Sequence, residues 1–103
     1  MEYEVILETT ADTDLHGILN YITDVLKEPE TALRIFSTIE EKVLSLDKLP
    51  HRYATAKDEP YKSFGVRWMP IENYIVFFVI DEERHTVHVL RILYSRRNWQ
   101  AVL

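Results

Sequence analysis

The chain has 103 residues, enough for one domain around a single core, and its 47% hydrophobic and 28% charged residues exclude a disordered chain. It contains no cysteine, which removes disulfide frameworks and thiolate chemistry. The formal net charge of −5 argues against bulk nucleic-acid binding, but it is unevenly laid out: residues 1–50 hold eleven acids and four bases (net −7), and residues 51–103 hold six acids and eight bases (net +2). No stretch reaches the ~18 apolar residues of a membrane span, and the acidic start lacks the positive charge of a signal peptide, so the expected location is the cytoplasm.

Tyr3 to Glu8 is rich in β-formers and reads as a first strand. Thr9, Thr10 and Asp12 then offer helix N-caps, and Ala11, Leu15, Ile18, Leu19, Ile22 and Leu26 recur at helical spacing. Glu28-Pro29-Glu30 ends that helix and starts a second, since proline suits a first turn and the acids complement the helix dipole. The second helix carries its apolar stripe at Ala32, Phe36, Ile39, Val43 and Leu46, with Ile35 and Leu49 adding to it, and Leu49-Pro50 stops it. His51 to Tyr61 has no clear period and reads as a loop.

Lys62 to Met69 alternates and predicts a strand with Phe64, Val66 and Trp68 on one face and Arg67 on the other. Pro70 to Asn73 reads as a turn, Tyr74 to Ile80 as a central strand covered on both sides, Asp81 to His85 as a polar turn, and Thr86 to Tyr94 as the last strand. The order β-α-α-β-β-β implies a two-layer α+β domain over residues 1–103, with a helical hairpin packed on one face of a mainly antiparallel sheet. If Phe64, Val66 and Trp68, and likewise Leu90 and Ile92, point to the helices, Arg67 and Arg91 emerge on the open face, with Val89 and Leu93 beside Arg91. A one-residue slip reverses this.

No acid follows Glu83, whereas Arg84, Arg91, Arg96 and Arg97 are basic, and Tyr94-Ser95-Arg96-Arg97-Asn98-Trp99 is both basic and aromatic. Arg67 and Arg91, together with Tyr94, Arg96, Arg97 and Trp99, are the candidate partner-binding residues, because arginine and aromatic side chains anchor interfaces and arginine's fork suits carboxylate or phosphate. The plainer reading pairs Arg67 and Arg91 with acids such as Glu59 or Glu72, leaves Arg96 and Arg97 solvated and folds Trp99 back to cap the helical hairpin. The four histidines, His16, His51, His85 and His88, lack the ligand set of a zinc site; no metal or cofactor is expected. Ser63 and Ser95 lack a nucleophile motif, and Glu82-Glu83 reads as a polar turn.

The motifs Asp14-Leu15-His16-Gly17-Ile18-Leu19-Asn20-Tyr21-Ile22, Leu49-Pro50-His51-Arg52, Gly65-Val66-Arg67, Asn73 to Phe78, and Val89 to Trp99 come in an order that resembles the RelE/ParE superfamily of type II toxin–antitoxin toxins, closest to the ParE-like, plasmid-stabilisation branch. The resemblance covers essentially the whole chain. It implies a small growth-inhibiting toxin neutralised by an antitoxin encoded beside it. ParE-type members act on DNA gyrase, and RelE-type members cut mRNA in the ribosome. Metal-free RNA cleavage needs a base, an acid and cations. Here that set would be Arg67, Arg91 and Tyr94, with His51. Nuclease members place an arginine near the position of Tyr74 and often a histidine near Tyr94, and both are missing here. The expectation is therefore a non-enzymatic toxin acting on a protein such as gyrase. The alternatives are a ribosome-dependent endoribonuclease and a non-toxic binding member.

Overall fold

A computed structural model describes residues 2–96. Strand β1 (Glu4–Leu7) leads into helix α1 (Thr9–Asn20), which ends in a π-turn over Tyr21–Val25. Helix α2 (Pro29–Leu44) starts on its proline and closes through two short 3₁₀ turns, Ser45–Asp47 and Pro50–Arg52. Leu49 lies between those turns in the left-handed region, at φ 48°, and there the chain leaves the helical layer. Strands β2 (Arg67–Ile71), β3 (Tyr74–Asp81) and β4 (Thr86–Tyr94) complete the chain order.

The sheet order is β1-β4-β3-β2, with β1 parallel to β4 and the other pairs antiparallel. This is the expected α+β architecture. β4 occupies its predicted span, and β3 runs one residue past its predicted end. β2 starts five residues later than expected and includes Pro70 and Ile71. The delay has a local cause. Residues 58–66 are folded into turns by backbone bonds such as Phe64 N–H to Pro60 O and Val66 N–H to Tyr61 O. Gly65 takes φ 73°, a conformation side chains disfavour.

The main core lies between helices and sheet, where Leu15, Ile35, Ile39 and Leu46 meet Met69, Val76, Phe78 and Ile92. A smaller cluster of Ala56, Val66, Phe77 and Leu93 covers the opposite face of the sheet. β3 is therefore buried on both sides, as its unbroken apolar run requires. In α2 the core face is Ala32, Ile35, Ile39 and Val43; Phe36 and Leu49, expected inside, are exposed. The ridge of α2 that faces the sheet is thus one residue out of phase with the predicted stripe at Phe36.

The face assignments need correction. Met69 and Ile71 face the helices, so Arg67, two residues before Met69, shares their side, and Val66 and Trp68 take the other. The predicted phase was carried from Phe64, which lies in the turn before the strand and is 71% exposed. In β4 a bulge opposite Phe77 and Phe78 leaves Leu90 as the extra residue: Phe77 pairs with Arg91 and Phe78 with Val89. Val89 therefore faces the helices and Leu90 the other side, the reverse of simple alternation, while Arg91 and Leu93 lie on the face away from the helices as expected.

Candidate functional site

Arg67 does not stand free on an open surface. Its Nη1 donates to the carbonyl oxygens of Tyr53 (2.7 Å) and His51 (3.3 Å), closing the 3₁₀ turn onto the start of β2. Arg91 belongs to the far face by register, but it lies where β4 runs beyond the end of β1. There its guanidinium meets Asp14 of α1 in a two-point contact, Nε to Oδ2 at 2.7 Å and Nη2 to Oδ1 at 2.9 Å. The same Oδ2 accepts the Ile92 backbone N–H at 3.0 Å. Asp14 thus supplies the acceptor that a longer β1 would have provided. The carboxylate holds the Arg91 guanidinium above its ordinary pKa, against the opposing effect of burial.

The acids named as alternative partners, Glu72 and Glu59, make bonds of their own. Glu72 pairs with Arg34 at 2.8 Å, and Glu59 accepts from the Ser63 amide and hydroxyl. In place of two arginines exposed on an open face, one caps carbonyls and the other is locked to an acid.

The proposed chemical groups do not converge. His51 meets Glu82 just beyond the β3 end at Asp81, and Tyr3 donates to the same carboxylate at 3.0 Å while stacking on His85 at 3.8 Å. These bonds hold Glu82 below the ordinary carboxylate range, that from His51 contributing most. Tyr94 lies at the opposite end of the sheet, paired with Tyr74. The eight residues of β3 separate the two ends by roughly 25 Å. Tyr94 is exposed, with its ring 6.0 Å from that of Tyr74. Burial foremost, then Tyr94 and Glu72, pushes the Tyr74 phenol up.

Among the described residues, two grooves are candidate binding sites. A groove of ≈ 730 Å³ opens between α1, the π-turn and the strand ends, lined by Gly17, Tyr21, Leu26, Tyr74 and Tyr94. A second of ≈ 530 Å³ lies on the far face, lined by Phe64, Val66, Val79, Leu90 and Arg91. Arg96 is exposed near the strand ends; Arg97 and Trp99 fall outside the described residues. Among the described residues no cluster of three or more His, Asp or Glu is placed to hold a metal ion, and no helix is long and apolar enough to cross a membrane. Sequence reasoning missed Asp14, Glu82 and Tyr3 as organising groups. Their partners lie 77, 31 and 79 residues away in the chain, and no local spacing marks such pairings.

Residues 5–99 match the family model described as the ParE toxin of the type II toxin–antitoxin system parDE. The chain belongs to that family. As a ParE-family toxin it is similar in structure to a chain of the chromosomal ParDE system of P. aeruginosa: TM-score 0.75, 26% identity, covering 92% of this chain and 98% of that one. A chain of the RelBE2 toxin–antitoxin complex of Mycobacterium tuberculosis gives TM-score 0.67 and 27% identity, over 91% of this toxin and 92% of that chain. A chain of the archaeal RelE–RelB complex of Pyrococcus horikoshii OT3 gives TM-score 0.57 at 15% identity, over 94% and 99%, a likeness of fold alone. No curated protein matches the sequence of this toxin. Family and fold together make it the toxin component of a type II module.

Proposed function

We propose that this toxin inhibits growth in the cytoplasm by binding a protein target of the DNA gyrase type, without catalysing a reaction, and that the product of an adjacent gene neutralises it. The observation that carries this reading is the dispersal of the acid/base candidates. His51 is bonded to Glu82 at one end of the sheet, Tyr94 sits at the other, and Arg91 is held by Asp14. General acid–base cleavage of RNA needs those groups within hydrogen-bond reach of one phosphate. The two apolar grooves suit docking of protein side chains better than strand scission. The antitoxin partner is supported by the ParDE and RelBE complexes in which the similar chains were solved.

The test is induced expression of the toxin without its adjacent gene. Inhibited supercoiling and DNA breaks with intact transcripts support the proposal. Transcripts cut at ribosome-bound codons, with supercoiling unaffected, refute it in favour of the nuclease alternative.

A further inference from the structure

Three features that are unfavourable for the isolated chain border one groove. Gly17 lies inside α1, where glycine destabilises a helix relative to alanine, yet a Cβ there would meet no atom within 4 Å outside its own helical turns. The fold itself therefore has no packing need for glycine at this position. Four residues on, α1 gives way to the π-turn Tyr21–Val25, a rare helical form that recurs at functional sites. Tyr21 and Leu26, at the two ends of that turn, and Tyr94 on β4 are left 54%, 47% and 43% exposed. Gly17 and these three side chains, together with Tyr74, line the groove of ≈ 730 Å³ between α1 and the strand ends. Its walls are set within the chain. The Asp14–Arg91 contact ties α1 to β4, and the Ser95 N–H donates to Asn73 O at 2.7 Å, holding the end of β4 against the start of β3. A cleft formed in advance spares a partner the cost of ordering it.

The charge around the groove selects the occupant. Asp14, in its wall, and Glu72, beside Asn73, are already paired with Arg91 and Arg34. Along the π-turn, Asp24 is offset by Lys27 three residues on. Arg96, two residues beyond Tyr94, is exposed and has no ion-pair partner among the described residues, and Arg97 follows it in the sequence. The groove is therefore apolar and aromatic with one positive edge. The far-face groove has no such edge, because its two charged side chains, Glu8 and Arg91, are bonded to His88 and Asp14. A toxin released from its antitoxin has to present its target-binding surface complete, and this groove is complete in the lone chain. We infer that the groove between α1 and the strand ends docks the target: it takes an aliphatic or aromatic side chain projecting from a segment of a gyrase-type protein, with an aspartate or glutamate beside it to meet Arg96. This rests on the target-binding reading above and adds to it the surface and the chemistry of the partner.

The experiment measures how purified toxin inhibits supercoiling by gyrase holoenzyme, alongside its affinity for the adjacent gene product and its sedimentation. Gly17→Leu starts a side chain into open space, so its thermal melt should be no lower than wild type. With the groove plugged, the toxin concentration for half inhibition should rise about 100-fold. Tyr94→Ala removes an exposed ring and should raise that concentration about tenfold; it carries the test if the leucine variant melts low. Arg96→Glu should also raise it about tenfold and flatten its salt dependence. Leu49→Asn, exposed outside the groove in a left-handed conformation that asparagine accepts, is the control and should inhibit as wild type. If wild-type toxin leaves gyrase unaffected, the target reading and this inference fall together. If wild type inhibits and both Gly17→Leu and Tyr94→Ala inhibit equally well, this inference alone is overturned. A loss confined to binding of the adjacent gene product, or a change confined to self-association of the toxin, also overturns it by giving the groove another occupant. Undiminished inhibition by Arg96→Glu refutes the acidic partner segment.

Discussion

Replacing Asp14 by alanine isolates the contact on which the sheet's open edge depends. The carboxylate holds three donors at once: Arg91 Nε, Arg91 Nη2 and the Ile92 amide. Both side chains are largely covered, Arg91 to 20% and Asp14 to 13% exposure. An orphaned buried amide costs about 1–3 kcal/mol. Removing the acid from a fully buried ion pair costs about 3–5 kcal/mol, and residual solvent and the other surroundings of Arg91 reduce that figure. Together they give a destabilisation of about 3 kcal/mol for Asp14→Ala. At roughly 5 °C per kcal/mol for a domain of this size, the Tm should drop by about 15 °C. Asp14→Asn keeps an oxygen for Ile92 but loses the charge, so it should fall between wild type and alanine. Urea titrations of Asp14→Ala, Arg91→Met and the double variant complete a thermodynamic cycle, with an expected coupling of about 1–3 kcal/mol. A loss below about 0.5 kcal/mol for Asp14→Ala, or a coupling near zero, would show that the carboxylate does not secure this edge.

The His51 and Tyr3 bonds depress the Glu82 pKa, so their contribution is present above the unfolded carboxylate value of 4.5 and is lost as pH falls through the lower folded value. Glu82→Gln should remove that acid limb from the stability–pH curve; superimposable curves for variant and wild type below about pH 5 would contradict it. Tyr3 titrates in the opposite sense. Its pKa is raised above 10.0 by desolvation and by Glu82, so its contribution is complete below pH 10.0 and fades as pH climbs through the folded value, which Tyr3→Phe should abolish. Arg67→Met strips the donor from the His51 and Tyr53 carbonyls and should lower the urea midpoint by an amount equivalent to about 1–2 kcal/mol with an unchanged slope.

The architecture was legible because its signals are local. The apolar run from Tyr74 and the β-rich segment from Thr86 define their own strands, and Pro29 marks its helix start. The faces of β2, and of β4 before Arg91, were not legible, because alternation carries a phase and phase is lost at any irregularity. Gly65 and the turn around Phe64 reset it before β2, and the unpaired Leu90 reset it within β4. The arginines were recognised by type, but their partners are set by tertiary proximity. Asp14 reads as an ordinary polar position on a helix until folding brings it to the edge of β4.

β4 runs between β1 and β3, so the last strand among the described residues is an interior one. During synthesis, β1 has no neighbour to pair with until residues 86–89 leave the ribosome. A prematurely terminated polypeptide ending before Thr86 would therefore lack the middle of its own scaffold. Only a chain synthesised as far as β4 can assemble the four-stranded sheet of this fold.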